Sequence, residues 1–164
     1  MYDMGVYGGC RYQVGFSGDV DELTWSNLAY QPYFSATAAN VGHGFWSHDL
    51  VGPGDDAELY SRWLQIGAFS GTMRSHDRGM AGGSCVNSDP YSCAVVEPWN
   101  VPNQNFPVTF SDANRLSLQW RGHLLPYVYN GHRAAFESGV GLIRPMYYAH
   151  PEHDLAYAMD DQGH

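Results

Sequence analysis

Hydrophobic and polar positions along this chain follow two alternating periods. Three short runs, Tyr12-Gln13-Val14-Gly15-Phe16, Gly44-Phe45-Trp46 and Ser70-Gly71-Thr72-Met73, read as strands. The stretches between them carry the helical period. Residues 22–40 predict a helix broken near Gln31-Pro32, with Trp25 and Leu28 on one face and Tyr33, Phe34 and Ala38 continuing it. Residues 56–67 predict a stronger one, because Leu59, Tyr60, Trp63, Leu64 and Gly67 share a face and Asp55-Asp56 can cap it. Residues 111–138 predict the longest helix. Ser111 or Asp112 caps it, Leu116, Trp120, Leu124 and Val128 form its buried stripe, Pro126 kinks it and Gly139 ends it. The Gly- and Pro-rich residues 78–110 form a long loop, residues 142–148 are extended, and the acidic tail after His150 frays.

Each predicted strand is closed by polar residues: Asp19, then His48-Asp49, then Arg74-Ser75-His76. Asp19, Asp49 and His76 follow one another at intervals of 30 and 27 residues. A strand, its crossover helix and the next strand need roughly 30 residues. The rhythm therefore predicts three consecutive strands of a parallel sheet. Each delivers a side chain to the same edge, the carboxyl end of the strands, where α/β barrels keep their chemistry.

Composition narrows the chemistry. The 164 residues are 44% hydrophobic and 15% aromatic, as suits a folded domain. Net charge is −9, all eight basic residues are arginine, and they form no cluster, which argues against nucleic acid or an anionic membrane as partner. No apolar run is long enough to span a bilayer. Aromatic and glycine residues beside Asp and His at strand ends suit a neutral, hydroxyl-rich ligand such as a sugar. Cys85 and Cys93 bracket a short loop and can pair in an oxidising compartment or remain free thiols, and Cys10 is left over.

Asp19 follows Gly15-Phe16-Ser17-Gly18. The glycines allow close approach of a ligand, and the aromatic can cover a sugar ring. A carboxyl in such a partly desolvated cleft has the raised pKa of a general acid. The plainer reading is a turn aspartate that caps a helix starting near Asp21. In the second segment His48 and Asp49 point to opposite faces, and Asp49 is the better pocket residue, unless it merely shapes the Gly52-Pro53-Gly54 turn. Alternation puts Arg74 and His76 on one face, the first suited to orienting a carboxylate and the second to bonding a hydroxyl. Gly15-Phe16-Ser17-Gly18 misses the Gly-x-Ser-x-Gly nucleophile elbow. The eight histidines form no His-Glu-x-x-His motif and no tight Cys/His cluster, so no metal and no cofactor is expected.

Several ordered motifs together resemble glycoside hydrolase family 31, the family of α-glucosidases and α-xylosidases. They are Arg11-Tyr12-Gln13-Val14-Gly15-Phe16-Ser17-Gly18-Asp19, Trp46-Ser47-His48-Asp49, Arg62-Trp63-Leu64-Gln65-Ile66-Gly67-Ala68-Phe69 and Arg74-Ser75-His76. Glu97-Pro98-Trp99, Leu124-Leu125-Pro126-Tyr127-Val128-Tyr129 and Arg144-Pro145-Met146-Tyr147-Tyr148 continue the order, so the resemblance covers roughly residues 8–150. It implies an α/β fold, the C-terminal portion of a (β/α)8 TIM barrel with about three βα units. Residues 1–140 would be partial barrel, and 141–164 the start of the segment leading to a β domain. The implied activity is retaining hydrolysis of α-glycosidic bonds, most readily α-glucosides, without metal or cofactor. Asp19 matches the general acid/base. Asp49, Arg74 and His76 match residues that shape the sugar subsite, and Phe16 and Trp46 match aromatics near it.

Departures from the family pattern are informative. The family's nucleophilic aspartate lies on an earlier strand, in a Trp-x-Asp motif this chain does not contain, and a retaining mechanism needs that carboxylate about 5 Å from the acid/base. Asp3 stands where the family has an arginine, and residues 78–96 resemble an insertion. Three parallel strands alone would leave open edges and an uncovered apolar face. The sequence therefore predicts a piece of a larger enzyme, separated from the N-terminal half of its barrel and inactive alone. Rival readings are a non-catalytic sugar-binding remnant and a pseudogene fragment.

Overall fold

The computed structural model describes residues 14–17, 24–48, 50–51, 56–76, 98 and 109–159, with backbone only at 50–51 and 75–76. Asp19, Asp49, the cysteines and residues 78–108 of the predicted 78–110 loop, apart from Pro98, lie outside the described residues, while Thr109 and Phe110 open a helix rather than close the loop. Strand β1 (Gly15–Phe16) pairs in parallel with β2 (Trp46–Ser47), Gly15 opposite Trp46 and Phe16 opposite Ser47. Gly15 N–H donates to Phe45 O at 2.8 Å, and Ser17 N–H to Ser47 O at 3.1 Å. Ser47 in turn bridges Thr72 in parallel. Beyond it β3 (Leu50–Val51) pairs in parallel with β4 (Ser75–His76). The three predicted strand regions thus lie side by side in chain order. Pairing in the second and third runs further than the hydrophobic runs suggested, out to Val51 and His76.

Helix α1 (Trp25–Ala38) connects the first two strand regions, and α2 (Ala57–Phe69) the second and third. Thr24 caps α1, its hydroxyl accepting from Asn27 N–H at 3.2 Å, so the helix opens at Trp25 rather than near Asp21. The helix also runs unbroken through Pro32, contrary to the predicted break. Proline removes one internal bond there, and burial of Leu28, Gln31, Ser35 and Ala38 on either side outweighs that loss. Asp56 caps α2 as expected, its carboxylate accepting from Leu59 N–H at 3.0 Å and from Trp25 Nε1–H at 3.0 Å. Leu59, Tyr60, Trp63, Leu64 and Gly67 are all buried, as their spacing predicts. Trp63, Leu59 and Leu64 meet Leu28 of α1 in the principal core. Tyr60 and Ala57 meet Phe110 in a second cluster.

Helix α3 (Phe110–Ser138) packs along α2. Its cap is Thr109, which accepts from Asp112 N–H at 3.1 Å, in place of Ser111 or Asp112, and Gly139 ends it at φ 77° as predicted. The buried stripe departs from the expected one. Leu116 and Trp120 are half-exposed and Leu124 is partly buried, so of the expected four only Val128 is buried; the inner face of the helix carries Phe110, Asn114, Ser117, Arg121, Val128, His132 and Ala135. The reason is that this face bonds backbone. Asn114 Nδ2 donates to Pro98 O at 2.8 Å, Arg121 reaches Ala68, Ser70 and Gly71 carbonyls, and His132 Nε2 lies 2.9 Å from Gly71 O. Hydropathy alone cannot identify a buried stripe built from hydrogen-bonding groups.

After α3 the chain is turned rather than extended. Met146–Tyr148 form a 3-10 turn, and Asp154–Tyr157 a second. Tyr157 stacks on Tyr147 with centroids 5.2 Å apart, so the described part of the predicted fraying tail is folded back.

Candidate active site

The pairing register sorts the strand residues onto two faces. Phe16, Ser47 and Thr72 are in register on one face, and alternation places Arg74 with Thr72. Gly15, Trp46 and His48 occupy the other, toward α1. A Cβ at Gly15 would lie 2.7 Å from the Trp46 indole, so the close approach that this glycine allows is made by a tryptophan. Trp46 also meets Phe34 of α1 edge-on at 5.3 Å. It is a packing residue between strand and helix.

On the first face the Arg74 guanidinium lies over the Phe16 ring, 5.0 Å from its centroid. Such a contact contributes about 0.5–1 kcal/mol at an exposed site. More importantly, it joins a side chain from β1 to one just before β4, across the strand between them. Two of the six candidate residues thus meet in space. Among the others, Asp19 and Asp49 lie outside the described residues, and His76 is placed only as backbone of β4, opposite Val51.

His48 is 3% exposed, on the α1 side. Ser35 Oγ donates to Gln31 O at 2.7 Å and stands 2.5 Å from His48 Nε2. With the single hydroxyl proton committed to the carbonyl, Nε2–H is the donor to Ser35 and Nδ1 carries no proton. Burial pushes the imidazole pKa down from 6.5 to about 4, so it is neutral at physiological pH. His48 thus anchors the chain beside Asp49 to α1.

Three features escaped sequence reasoning. Arg121 and His132 hold the chain between α2 and Thr72, and nothing in their spacing marks them as inward-facing except that they fall seven and eighteen residues after Asn114 on a helical repeat. The third is a cluster after α3, where His150, Glu152 and His153 present ligand atoms within 4.8 Å of one another. The signal was present in His150-Pro151-Glu152-His153, although it matches no standard spacing.

Residues 4–131 match the Glycosyl hydrolases family 31 TIM-barrel domain. The chain belongs to glycoside hydrolase family 31. An isomaltosyltransferase of Sporosarcina globispora is 28% identical over 161 residues, covering 96% of this chain and 14% of the relative. The α-xylosidase XylQ of Lactiplantibacillus pentosus is 35% identical over 122 residues, covering 71% of this chain and 13% of the relative. In structure, the chain is similar to a family 31 α-xylosidase from a soil metagenome complexed with xylose. The TM-score is 0.66 at 23% identity, over 89% of this chain and 23% of that one. The architecture is therefore part of a TIM barrel, and the chain spans about a seventh of the length of these family 31 relatives. Among the described residues no helix is long and apolar enough to cross a membrane.

Proposed function

We propose that the chain carries the acid/base half of a retaining α-glycosidase active site, acting on α-glucosides in the complete enzyme. The observation that carries this reading is the contact between Arg74 and Phe16 on the face shared with Ser47 and Thr72. Parallel strands in a TIM barrel present their carboxyl ends to the reaction, and these two residues stand at such ends. Asp49 and His76 each follow a residue of this face, Ser47 and Arg74, by two positions in the sequence.

The division of labour follows from chemistry. Asp19, three residues beyond Phe16, protonates the leaving-group oxygen and then deprotonates water in the second step. Asp49 and His76 bond sugar hydroxyls, Arg74 orients the carboxylates, and Phe16 covers the apolar side of the ring. Trp46 keeps the β1 and β2 ends in place from behind the sheet. The nucleophilic carboxylate comes from the N-terminal half of the barrel, so this polypeptide alone hydrolyses nothing. The relatives named as α-xylosidase and isomaltosyltransferase set the alternatives of sugar and acceptor within one retaining mechanism.

A chimera tests this. Residues 4–131 replace the matching segment of the L. pentosus α-xylosidase, and aryl α-glucoside and α-xyloside hydrolysis are assayed. The chimera turns over at least one of them, and Asp19→Asn lowers kcat by at least about 100-fold, the usual size of a lost general acid. Full activity of the Asp19→Asn chimera, or turnover by the 164-residue chain alone, overturns the proposal. Calorimetric binding of glucose by a well-folded chimera that never turns over assigns a sugar-binding role instead.

A further inference from the structure

We propose that His150, Glu152 and His153 form a binding site for a borderline transition-metal ion, Zn2+ foremost, apart from the sugar site. Glu152 Oε1 lies 3.5 Å from His153 Nε2 and 4.0 Å from His150 Nδ1, and all three atoms lie within 4.8 Å of one another. Donors on a tetrahedral Zn2+ with bonds of about 2.0–2.1 Å stand about 3.4 Å apart. Small side-chain rotations therefore close the set.

The backbone that carries these residues is already turned. His150 N–H donates to Met146 O at 3.0 Å, His153 N–H to His150 O at 3.2 Å, and Ala156 N–H to His153 O at 2.9 Å. Pro151 stiffens the same turn. Both imidazoles line a cleft of about 400 Å3 together with Met146, Asp154 and Leu155. The three ligand side chains are exposed, so an ion reaches them without displacing packed structure, and the fourth position is open to water.

Two imidazoles and one carboxylate select against Mg2+ and Ca2+, which take all-oxygen sites, and favour Zn2+ and its neighbours. A bound ion ties the turn between the two 3-10 segments, and with it the Tyr147–Tyr157 stack on the chain leaving the barrel. The alternative for these residues is a surface Glu–His pair that binds no ion.

Calorimetric titration of the 164-residue chain with Zn2+ and with Mg2+ decides. The wild type takes up Zn2+ with one equivalent that disappears, or weakens more than about tenfold, in the His150→Ala/His153→Ala double variant. Glu152→Gln weakens the same equivalent, and the distant His123→Ala leaves it unchanged. Sites elsewhere, including any cysteine thiolate, contribute equally to all variants and cancel from the comparison. Circular dichroism shows the double variant as folded as the wild type, since both histidines are exposed. Equal Zn2+ binding by wild type and double variant, no Zn2+ binding at all, or Mg2+ binding as tight as Zn2+ overturns the proposal.

Discussion

The Arg121 Nη2 stands 3.0 Å from the carbonyl oxygen of Gly71, and its Nη1 bonds the carbonyls of Ala68 and Ser70. One side chain of α3 thereby satisfies the end of α2 and holds the backbone directly before Thr72, where pairing of the third strand region begins. The placement of Arg74 over Phe16 follows that anchor by three residues.

Replacing Arg121 with methionine is expected to cost about 2–3 kcal/mol, because a charge-assisted bond is lost and buried carbonyls are left unpaired. Arg121→Lys recovers less than half, since a single ammonium cannot span three carbonyls held in a fan. Urea denaturation of the three proteins measures both.

Burial of His48 makes stability depend on pH. A histidine that is neutral and buried when folded, but titrates at 6.5 when unfolded, binds more protons in the unfolded chain below that pH. Its contribution is complete above pH 6.5 and is lost progressively as pH falls toward about 4, amounting to about 3 kcal/mol in total. Denaturation midpoints measured from pH 7.5 to 4 should fall accordingly. His48→Phe removes this share of the slope, and an unchanged slope in that variant would refute the assignment.

Trp63 is 1% exposed at the centre of the core shared by α1 and α2. Trp63→Ala is expected to cost about 3–5 kcal/mol, whereas Trp63→Phe, which keeps most of the volume, costs less. Thermal unfolding separates the two.

Two glycines should respond with opposite sign. A Cβ on Gly141 would lie 3.1 Å from the Gly44 Cα and 3.2 Å from Ile143 O, both backbone atoms, so Gly141→Ala destabilises by about 1–3 kcal/mol. Gly122 lies within α3 with nothing within 4 Å of its would-be Cβ, and Gly122→Ala stabilises by about 0.5–1 kcal/mol. Chemical denaturation gives both signs in one experiment.

Sequence periodicity by itself determined the alternation of strand and helix, the buried face of α2 and its Asp56 cap, because local propensity and amphipathic spacing agree there. The same holds for the Gly139 stop, where a left-handed backbone requires glycine. The family could also be read from its ordered motifs, and the match over residues 4–131 bears that reading out. Three things only the tertiary structure decided. α1 runs through Pro32, because burial on both sides of a proline is a packing energy with no local signal. The inner stripe of α3 is Asn114, Arg121 and His132 rather than Leu116 and Trp120, because those polar groups meet carbonyls that are distant in sequence. Trp46 faces α1 while Arg74 covers Phe16, because which face of a strand is which depends on its register against neighbours. That register is set by contacts between segments some thirty residues apart, and no window of sequence contains it.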